Sequence, residues 1–346
     1  MFYAMRGVHE SRAEAFRAVG RFVDPTQQFT TDEPPILALH HGAWSRRMKS
    51  EVLELADWTQ RTWAEPVELI TNNIFAVCDD FIAKSFPRSR RTTAVLGDWA
   101  AAQYRGNMLF KPKPDELIVV PNPQDSDFFR PPSIAERRNA RARLGLTTAD
   151  KTVLRIGSPH DGKWSRQYVR LEGQLRREIL LLVGAPTKLR SALSQKDKVR
   201  LLAPIDNDTA VRELYWAADV FAHDAARGES FGNVLLEALL CGLPVVYRGR
   251  PFRDNTPWEF IRLSNFNYRF ISRAWRNEVL AKRRGRINDY DSCISQYSVT
   301  SLTRLLVDSK TMGRAPAQVP LLGRLAAFCL HNPVMAAVKQ WRLDRL

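Results

Sequence analysis

The sequence predicts an α/β protein of two domains, each built on a parallel sheet. Three observations carry this. The chain has 346 residues, beyond the size at which a single hydrophobic core stops growing and chains divide. Short apolar runs alternate with helical patterns, the arrangement of a parallel sheet covered on both faces. The texture changes at Phe129-Arg130-Pro131-Pro132 and the charged stretch Glu136–Arg141, which reads as a linker and an exposed helix and puts a boundary near residue 145.

Taken in order, Ser11–Val23 carries helical spacing, and Ile36–Leu39 is a short apolar run that ends at His40-His41-Gly42, a buried strand feeding a loop. Residues 49–63 return to helical spacing through Val52, Leu55 and Trp58. Leu69-Ile70 with Ile74–Val77, and then Leu117–Val120 stopped by Pro121, read as further strands. Past the boundary the expected strands are Val153–Ile156, Ile179–Val183, Val199–Leu202, Val220–His223 and Pro244–Tyr247. A helix is expected from Asn233 to Gly242, and the end from Pro320 to Leu346 is helical in composition, broken at Pro333.

The hydrophobic fraction of 45% and the aromatic fraction of 10% exclude a disordered chain. No apolar run reaches 18 residues, and Met1–Glu10 lacks the pattern of a signal peptide. The four cysteines, Cys78, Cys241, Cys293 and Cys329, are widely separated. Zinc and a disulfide framework are therefore not expected, and a reducing cytoplasm is. Asp79-Asp80 reads as a helix cap before Phe81 rather than a metal pair. The formal net charge is +15, and residues 242–346 hold 18 Lys+Arg against 7 Asp+Glu. A basic third of this kind suits nucleic acid, an anionic membrane, a phosphate-bearing substrate or a merely solvated face.

The stretch Gly228 to Val246 is the most informative. A strand ends at His223, a loop with Gly228 and Gly232 follows, and a helix begins near Asn233. A glycine loop at a helix start presents N–H groups and the positive end of the helix dipole, a site for a diphosphate. Glu229 in the loop and Glu237 in the helix can line one edge of a pocket at the carboxyl end of the sheet. Ionised carboxylates there suit sugar hydroxyls.

These residues resemble the retaining GT-B glycosyltransferases of family four. The family pattern E-x-F-G-x-x-x-x-E-A-x-A-x-G-x-P-V-V is matched at Glu229, Phe231, Gly232, Glu237, Ala238, Gly242, Pro244, Val245 and Val246. Pro121–Asp125 through Phe129-Arg130-Pro131 is similar to the interdomain P-N-G-V-D-x-x-x-F-x-P, with Pro123 replacing its glycine. Arg155–Ser158 through Lys163 resembles G-R-x(4)-K, Leu182-Val183-Gly184 the end of the next strand, and Glu213–Val220 the L-Y-x-x-A-D segment. The resemblance runs from about residue 36 to 250.

The resemblance implies two Rossmann-like domains facing a cleft. The N-terminal acceptor-side domain (1–145) is reduced, the nucleotide-sugar domain spans 146–305, and a basic helical tail (306–346) crosses back. It implies sugar transfer from a UDP- or GDP-sugar to a glycan or lipid-linked acceptor with retained configuration. No cofactor or metal is implied beyond the nucleotide-diphosphate sugar as co-substrate. Residue by residue, Glu229 would bind donor-sugar hydroxyls, and the segment Ser230, Phe231, Gly232 and Asn233 would cradle the diphosphate. Glu237 would hold the ribose, Lys163 with Gly157 and Ser158 would meet the phosphates, and His40 would face the donor.

Three departures qualify the match. Ser158 stands where the family has Arg, leaving Arg155 or Arg166 as substitutes. His223-Asp224-Ala225 stands in place of Pro-Ser, and the N-terminal domain is short, as expected of a truncated start, a reduced domain or a different acceptor mode. Tyr247-Arg248-Gly249-Arg250 to Arg253 replaces a Gly-Gly loop and offers further charge. The basic third, with Trp275 among Arg273, Arg276 and Lys282–Arg286 and the stripe Val334, Val338, Trp341, is read as a surface for an anionic membrane or acceptor. The expected location is cytoplasmic, peripheral at the inner membrane face. Two alternatives remain at this level: a nucleic-acid-modifying glycosyltransferase, less expected for want of a binding module, and a non-catalytic nucleotide-sugar-binding protein.

Overall fold

The computed structural model describes residues 2–3, 36–40, five positions between 53 and 61, 68–72, 84–95, 116–119, 124–159, 161–224, 232–248, 272–282, 284 and 298. The chain divides into two compact units, Met1–Pro123 with Val299–Leu346, and Gln124–Ser298. The division falls between Pro123 and Gln124.

The first unit carries a five-stranded parallel sheet of β1 (Phe2–Tyr3), β2 (Ile36–His40), β3 (Glu68–Asn72), β4 (Arg90–Val95) and β5 (Glu116–Val119), in chain order. Among these strands the order does not reverse. Positions 53, 56, 57, 60 and 61 are helical, with Ala56 buried, as the spacing of 49–63 predicts. Two strands differ from expectation. Phe2–Tyr3 pairs with Ala38 and Leu39, where the sequence reads as a lead into a helix. Arg90–Val95 has no apolar run to announce it, yet Arg91, Thr92 and Thr93 are buried, because β-branched threonines suit a pleated interior surface. Ser11–Val23, Ile74–Val77, Asp79-Asp80 and the tail 306–346 lie outside the described residues.

The second unit holds α1 (Ile134–Arg143), β6 (Lys151–Ile156), a 3-10 turn at Asp161–Lys163, α2 (Gln167–Glu172), β7 (Glu178–Val183), α3 (Thr187–Leu193), β8 (Val199–Leu202), α4 (Asp208–Ala217), β9 (Val220–Asp224), α5 (Asn233–Leu240), β10 (Val245–Arg248) and α6 (Ser272–Ala281). Its sheet runs β10-β9-β6-β7-β8, all parallel. Every residue of β6 and β9 is buried, which is why these strands read as continuous rather than alternating runs. Val153, Leu180, Leu182, Ala222, Tyr168 and Trp275 pack on one face.

Local chemistry fixes the helix ends. Ser133 caps α1 in a reciprocal box with Glu136: the Glu136 N–H donates to Ser133 Oγ at 3.2 Å and the Ser133 N–H to Glu136 Oε2 at 2.8 Å. α5 closes with Gly242 at φ +65°, its N–H donating to Leu239 O and the Leu243 N–H to Ala238 O, both at 2.9 Å.

α1 is exposed over most of its length, as the sequence suggests, but one side of it is engaged. Its arginines clamp the carbonyl end of α4. Arg137 donates to Trp216 O at 2.6 Å and Ala218 O at 2.8 Å, and Arg141 to Ala217 O at 2.6 Å. Asp219 receives both guanidiniums, at 2.8 and 3.4 Å. Arg284 joins from the other side, donating to Tyr215 O and Ala218 O at 2.9 Å and to Cys241 O at 2.6 Å. Cations at a helix carbonyl terminus complement its dipole.

This corrects part of the reading of the basic third. Arg284 is buried enough that desolvation pushes its pKa down to about 10. Arg276 is held by Gln167 Oε1 at 2.6 Å and Gln174 Oε1 at 3.1 Å. Trp275 is fully buried and donates to Val246 O at 3.1 Å. These three belong to the fold, not to a binding surface. Arg284→Met is expected to lower stability by about 2 kcal/mol, since it strips donors from buried carbonyls. Urea unfolding beside the exposed control Arg138→Met checks this; equal midpoints for the two would refute it.

Candidate functional site

In the second sheet the chain runs from β6 outward to β7 and β8, then returns to the other side of β6 as β9 and β10. This reversal leaves a crevice past the carboxyl ends of β6 and β9, where open α/β sheets take ligands. After β6 come Gly157, Ser158 and the turn at Asp161–Lys163. After β9 come segment 225–231, Gly232 and α5.

On the β6 side the organising residue is Arg155, fully buried. Its Nη2 donates to Lys163 O at 2.9 Å and its Nη1 to Ile156 O. The guanidinium lies 5.0 Å from the ring centre of Trp164 and 6.0 Å from that of Phe221. Trp164 in turn donates its Nε1–H to Ser158 O at 2.8 Å. The loop carrying Ser158 and Lys163 is therefore tied down by its own carbonyls. Its side chains are left outward, with Ser158 exposed and Lys163 half-buried.

On the β9 side, the Tyr168 hydroxyl donates to Ala222 O at 3.0 Å and accepts from the Asp224 N–H at 2.9 Å. Ser165 Oγ donates to Asp224 Oδ2. Burial pushes the Tyr168 phenol well up, so it stays a neutral donor. His223 is buried and stacked on Tyr247, ring centres 5.1 Å apart at 23°. The residues that replace the family's Pro-Ser thus brace the end of the strand.

Gly232 enters α5 at φ +90°, a left-handed conformation that disfavours side chains, and a Cβ there would meet Leu235 Cδ1 at 2.6 Å. The helical ladder starts at its carbonyl, which accepts from the Leu235 N–H at 2.9 Å. The preceding N–H groups of such a helix have no intrahelical acceptor and point out of its end.

Glu237 is 5% exposed. Tyr215 Oη donates to its Oε2 at 2.8 Å, and Gln124 Nε2 approaches Oε1 at 3.4 Å. Burial raises its pKa from about 4.5 to about 7, against the pull of the Tyr215 hydrogen bond. Neither Tyr215 nor Gln124 had a site role in the sequence reading, although both lie in the quoted Glu213–Val220 and Pro121–Asp125 segments.

The structure brings Gly157, Ser158 and Lys163 to the end of β6, and Gly232, Asn233 and Glu237 to the segment following β9. Glu229, Ser230 and Phe231 lie outside the described residues, as do Arg250 and Arg253. His40 ends β2, in register with Asn72; its side chain is not described. Among the described residues, no cluster of His, Cys, Asp and Glu could hold a metal ion, and no helix is long and apolar enough to cross a membrane.

Residues 152–251 match the family described as Glycosyl transferases group 1. The matched segment is under a third of the chain. It runs from β6 through β10, so the family's residues are those that build the crevice. D-inositol 3-phosphate glycosyltransferase of Xylanimonas cellulosilytica is 36% identical over 146 residues, covering 38% of this chain and 34% of that protein. The same-named protein of Mycobacterium bovis is 32% identical over 144 residues, covering 38% of this chain and 29% of its own. The chain thus spans about a third of the length of the curated relatives it matches.

Among solved structures, Anabaena Alr3699/HepE in complex with UDP and glucose aligns with a TM-score of 0.62 at 15% identity, covering 80% of this chain and 77% of its own. WaaG, a glycosyltransferase involved in lipopolysaccharide biosynthesis, aligns at 0.56 and 15% identity, covering 96% and 98%. The two parallel Rossmann-like sheets are those of the GT-B fold.

Proposed function

We propose that this protein is a retaining glycosyltransferase that moves a sugar from a UDP- or GDP-sugar to a glycan or lipid-linked acceptor. The observation that carries the reading is the reversal of strand order between β6 and β9, with the Lys163 turn after one strand and the Gly232-led helix after the other, within the segment that matches the family. The UDP in the Anabaena neighbour and the lipopolysaccharide role of WaaG support the donor and acceptor classes.

In this reading the nucleoside diphosphate lies across the switch point. Glu229 accepts hydrogen bonds from the donor sugar and Glu237 from the ribose. The Lys163 ammonium and the N–H groups of Phe231, Gly232 and Asn233 take up charge on the departing diphosphate. Stabilisation of that developing charge by preorganised donors lowers the barrier.

A thermal-shift panel of UDP- and GDP-sugars tests this. One donor is expected to stabilise the protein by about 2.7 kcal/mol at a hundredfold excess over its Kd. Glu229→Ala is expected to keep nucleotide binding and lose transfer to an acceptor glycan. A panel in which no UDP- or GDP-sugar shifts the transition would overturn the reading.

A further inference from the structure

We propose that Arg155 supplies, from within the sheet, the phosphate-facing positive charge that the family carries after the strand's glycine and that Ser158 lacks here. The inference rests on the nucleotide-sugar reading above and names the residue which that reading leaves open.

The strand geometry makes the relocation possible. Side chains two apart in extended chain leave it on the same face, and Gly157, one residue past β6, continues the ladder through its N–H to Val183 O at 3.1 Å, so its position lies on the face that carries Arg155. Gly157 has no side chain, and the guanidinium occupies the room this leaves: a Cβ at residue 157 would sit 3.2 Å from Arg155 Nη2 and 3.4 Å from Cζ. The charge of residue 155 is thereby carried forward to the strand's end, level with the turn that opens at Ser158. Its neighbours Trp164 and Phe221 place it over the seam between β6 and β9, where the strand order reverses.

Among the described residues, the charge at this point has no ion-pair partner. Arg155 is fully buried, its guanidinium donates to the Ile156 and Lys163 carbonyls, and among the described residues no carboxylate forms an ion pair with it. The Asp224 carboxylate is taken by the Ser165 hydroxyl. A guanidinium stays protonated, and burying it without an anion is costly. The phosphates of a nucleoside diphosphate in the crevice are the anion that offsets this cost. Arg166, the other candidate, is exposed just ahead of α2. Arg155 is a positioning residue. It holds the Lys163 backbone through its carbonyl, and its field acts across a dry, low-dielectric layer where charge interactions are strong.

Calorimetric titration of wild type, Arg155→Met and Arg155→Lys with uridine, UDP, guanosine and GDP tests the assignment. Arg155→Met is expected to weaken diphosphate binding by roughly tenfold or more, while nucleoside binding stays within about twofold. Arg155→Lys is expected to keep most of the diphosphate affinity. A purely structural role would lower nucleoside and diphosphate binding together, and that result, or an unchanged ratio, overturns the proposal. If Arg155→Met does not fold, Gly157→Ala, which presses on Nη2 while keeping the charge in the chain, is expected to lower the same ratio, and an unchanged ratio overturns it equally. A wild type that binds neither UDP nor GDP would instead refute the functional reading. Binding by wild type with an unaltered ratio in the variants refutes Arg155 alone.

Discussion

Gly184→Ala is expected to lower stability by about 3 kcal/mol or more, one of the largest effects of a single methyl group in this unit. Gly184 follows β7 at φ +73°, and a Cβ there would lie 2.2 Å from the Gly157 carbonyl oxygen. Two penalties add. A side chain in the left-handed region costs about 1 kcal/mol or more, and the clash is with backbone, which cannot rotate away. The strand ends on both sides are pinned, by Gly157 N–H to Val183 O at 3.1 Å and Gly184 N–H to Leu202 O at 3.2 Å. Gly145 separates the penalties: it has φ +60° with nothing within 4 Å of a Cβ, so Gly145→Ala carries the backbone term alone. Thermal unfolding is expected to show Gly184→Ala roughly 6–12 °C below wild type and Gly145→Ala much closer to it. Coincident transitions for the two variants would refute the steric account. Because the displaced atom belongs to Gly157, Gly184→Ala is also expected to weaken UDP or GDP binding.

That variant shows which parts of the fold were legible in the sequence. Buried strands flanked by glycine speak plainly: Val199–Leu202 was expected at its observed bounds, and β6, β7, β9 and β10 within two residues. Burial on both faces leaves no alternation to misread. The start of α5 at Asn233 was legible because a left-handed glycine precedes it. Arg90–Val95 was not, since two arginines and two threonines look like surface until neighbouring strands cover them. Arg137, Arg141, Arg276 and Arg284 were misread for a related reason. A sequence counts charges, but whether a guanidinium meets water or a row of helix carbonyls depends on partners as distant as Ala218 and Cys241.

The candidate site divides the same way. The family resemblance pointed to Lys163 and Glu237, but not to the groups that support them. Arg155 matters because Gly157 lets its guanidinium pass and because Phe221 comes alongside from another strand. Gln124 meets Glu237 across 113 positions. Such pairings exist only once the strand order is fixed, which neither periodicity nor local motif reveals.

Glu237 gives the second large effect. Burial above all raises its pKa from about 4.5 to about 7, aided by the Asp208 charge and opposed by the Tyr215 hydroxyl. In the window between those values the folded protein binds more protons than the unfolded chain. The slope of unfolding free energy with pH is then negative. The contribution of the neutral acid is fully present below about pH 4.5 and is lost as pH rises through about 7, by roughly 3 kcal/mol in all. Glu237→Gln keeps a neutral acceptor for Tyr215 and has no proton to lose. The variant is therefore expected to match wild type near pH 4.5 and to exceed it increasingly up to about pH 8. Urea unfolding of both proteins at intervals across this range reads the difference directly, because every other titrating group cancels. A pH-independent difference would show that Glu237 titrates at an ordinary value. Under the proposed donor reading, ribose hydroxyls donate to the ionised carboxylate and favour it. Binding of UDP or GDP near pH 6.5 should then release protons from wild type but not from Glu237→Gln, and calorimetry in buffers of different ionisation enthalpy measures that release. Stability and ligand affinity thus oppose each other at one carboxyl: burial favours its neutral form, and the nucleotide would favour its ionised one.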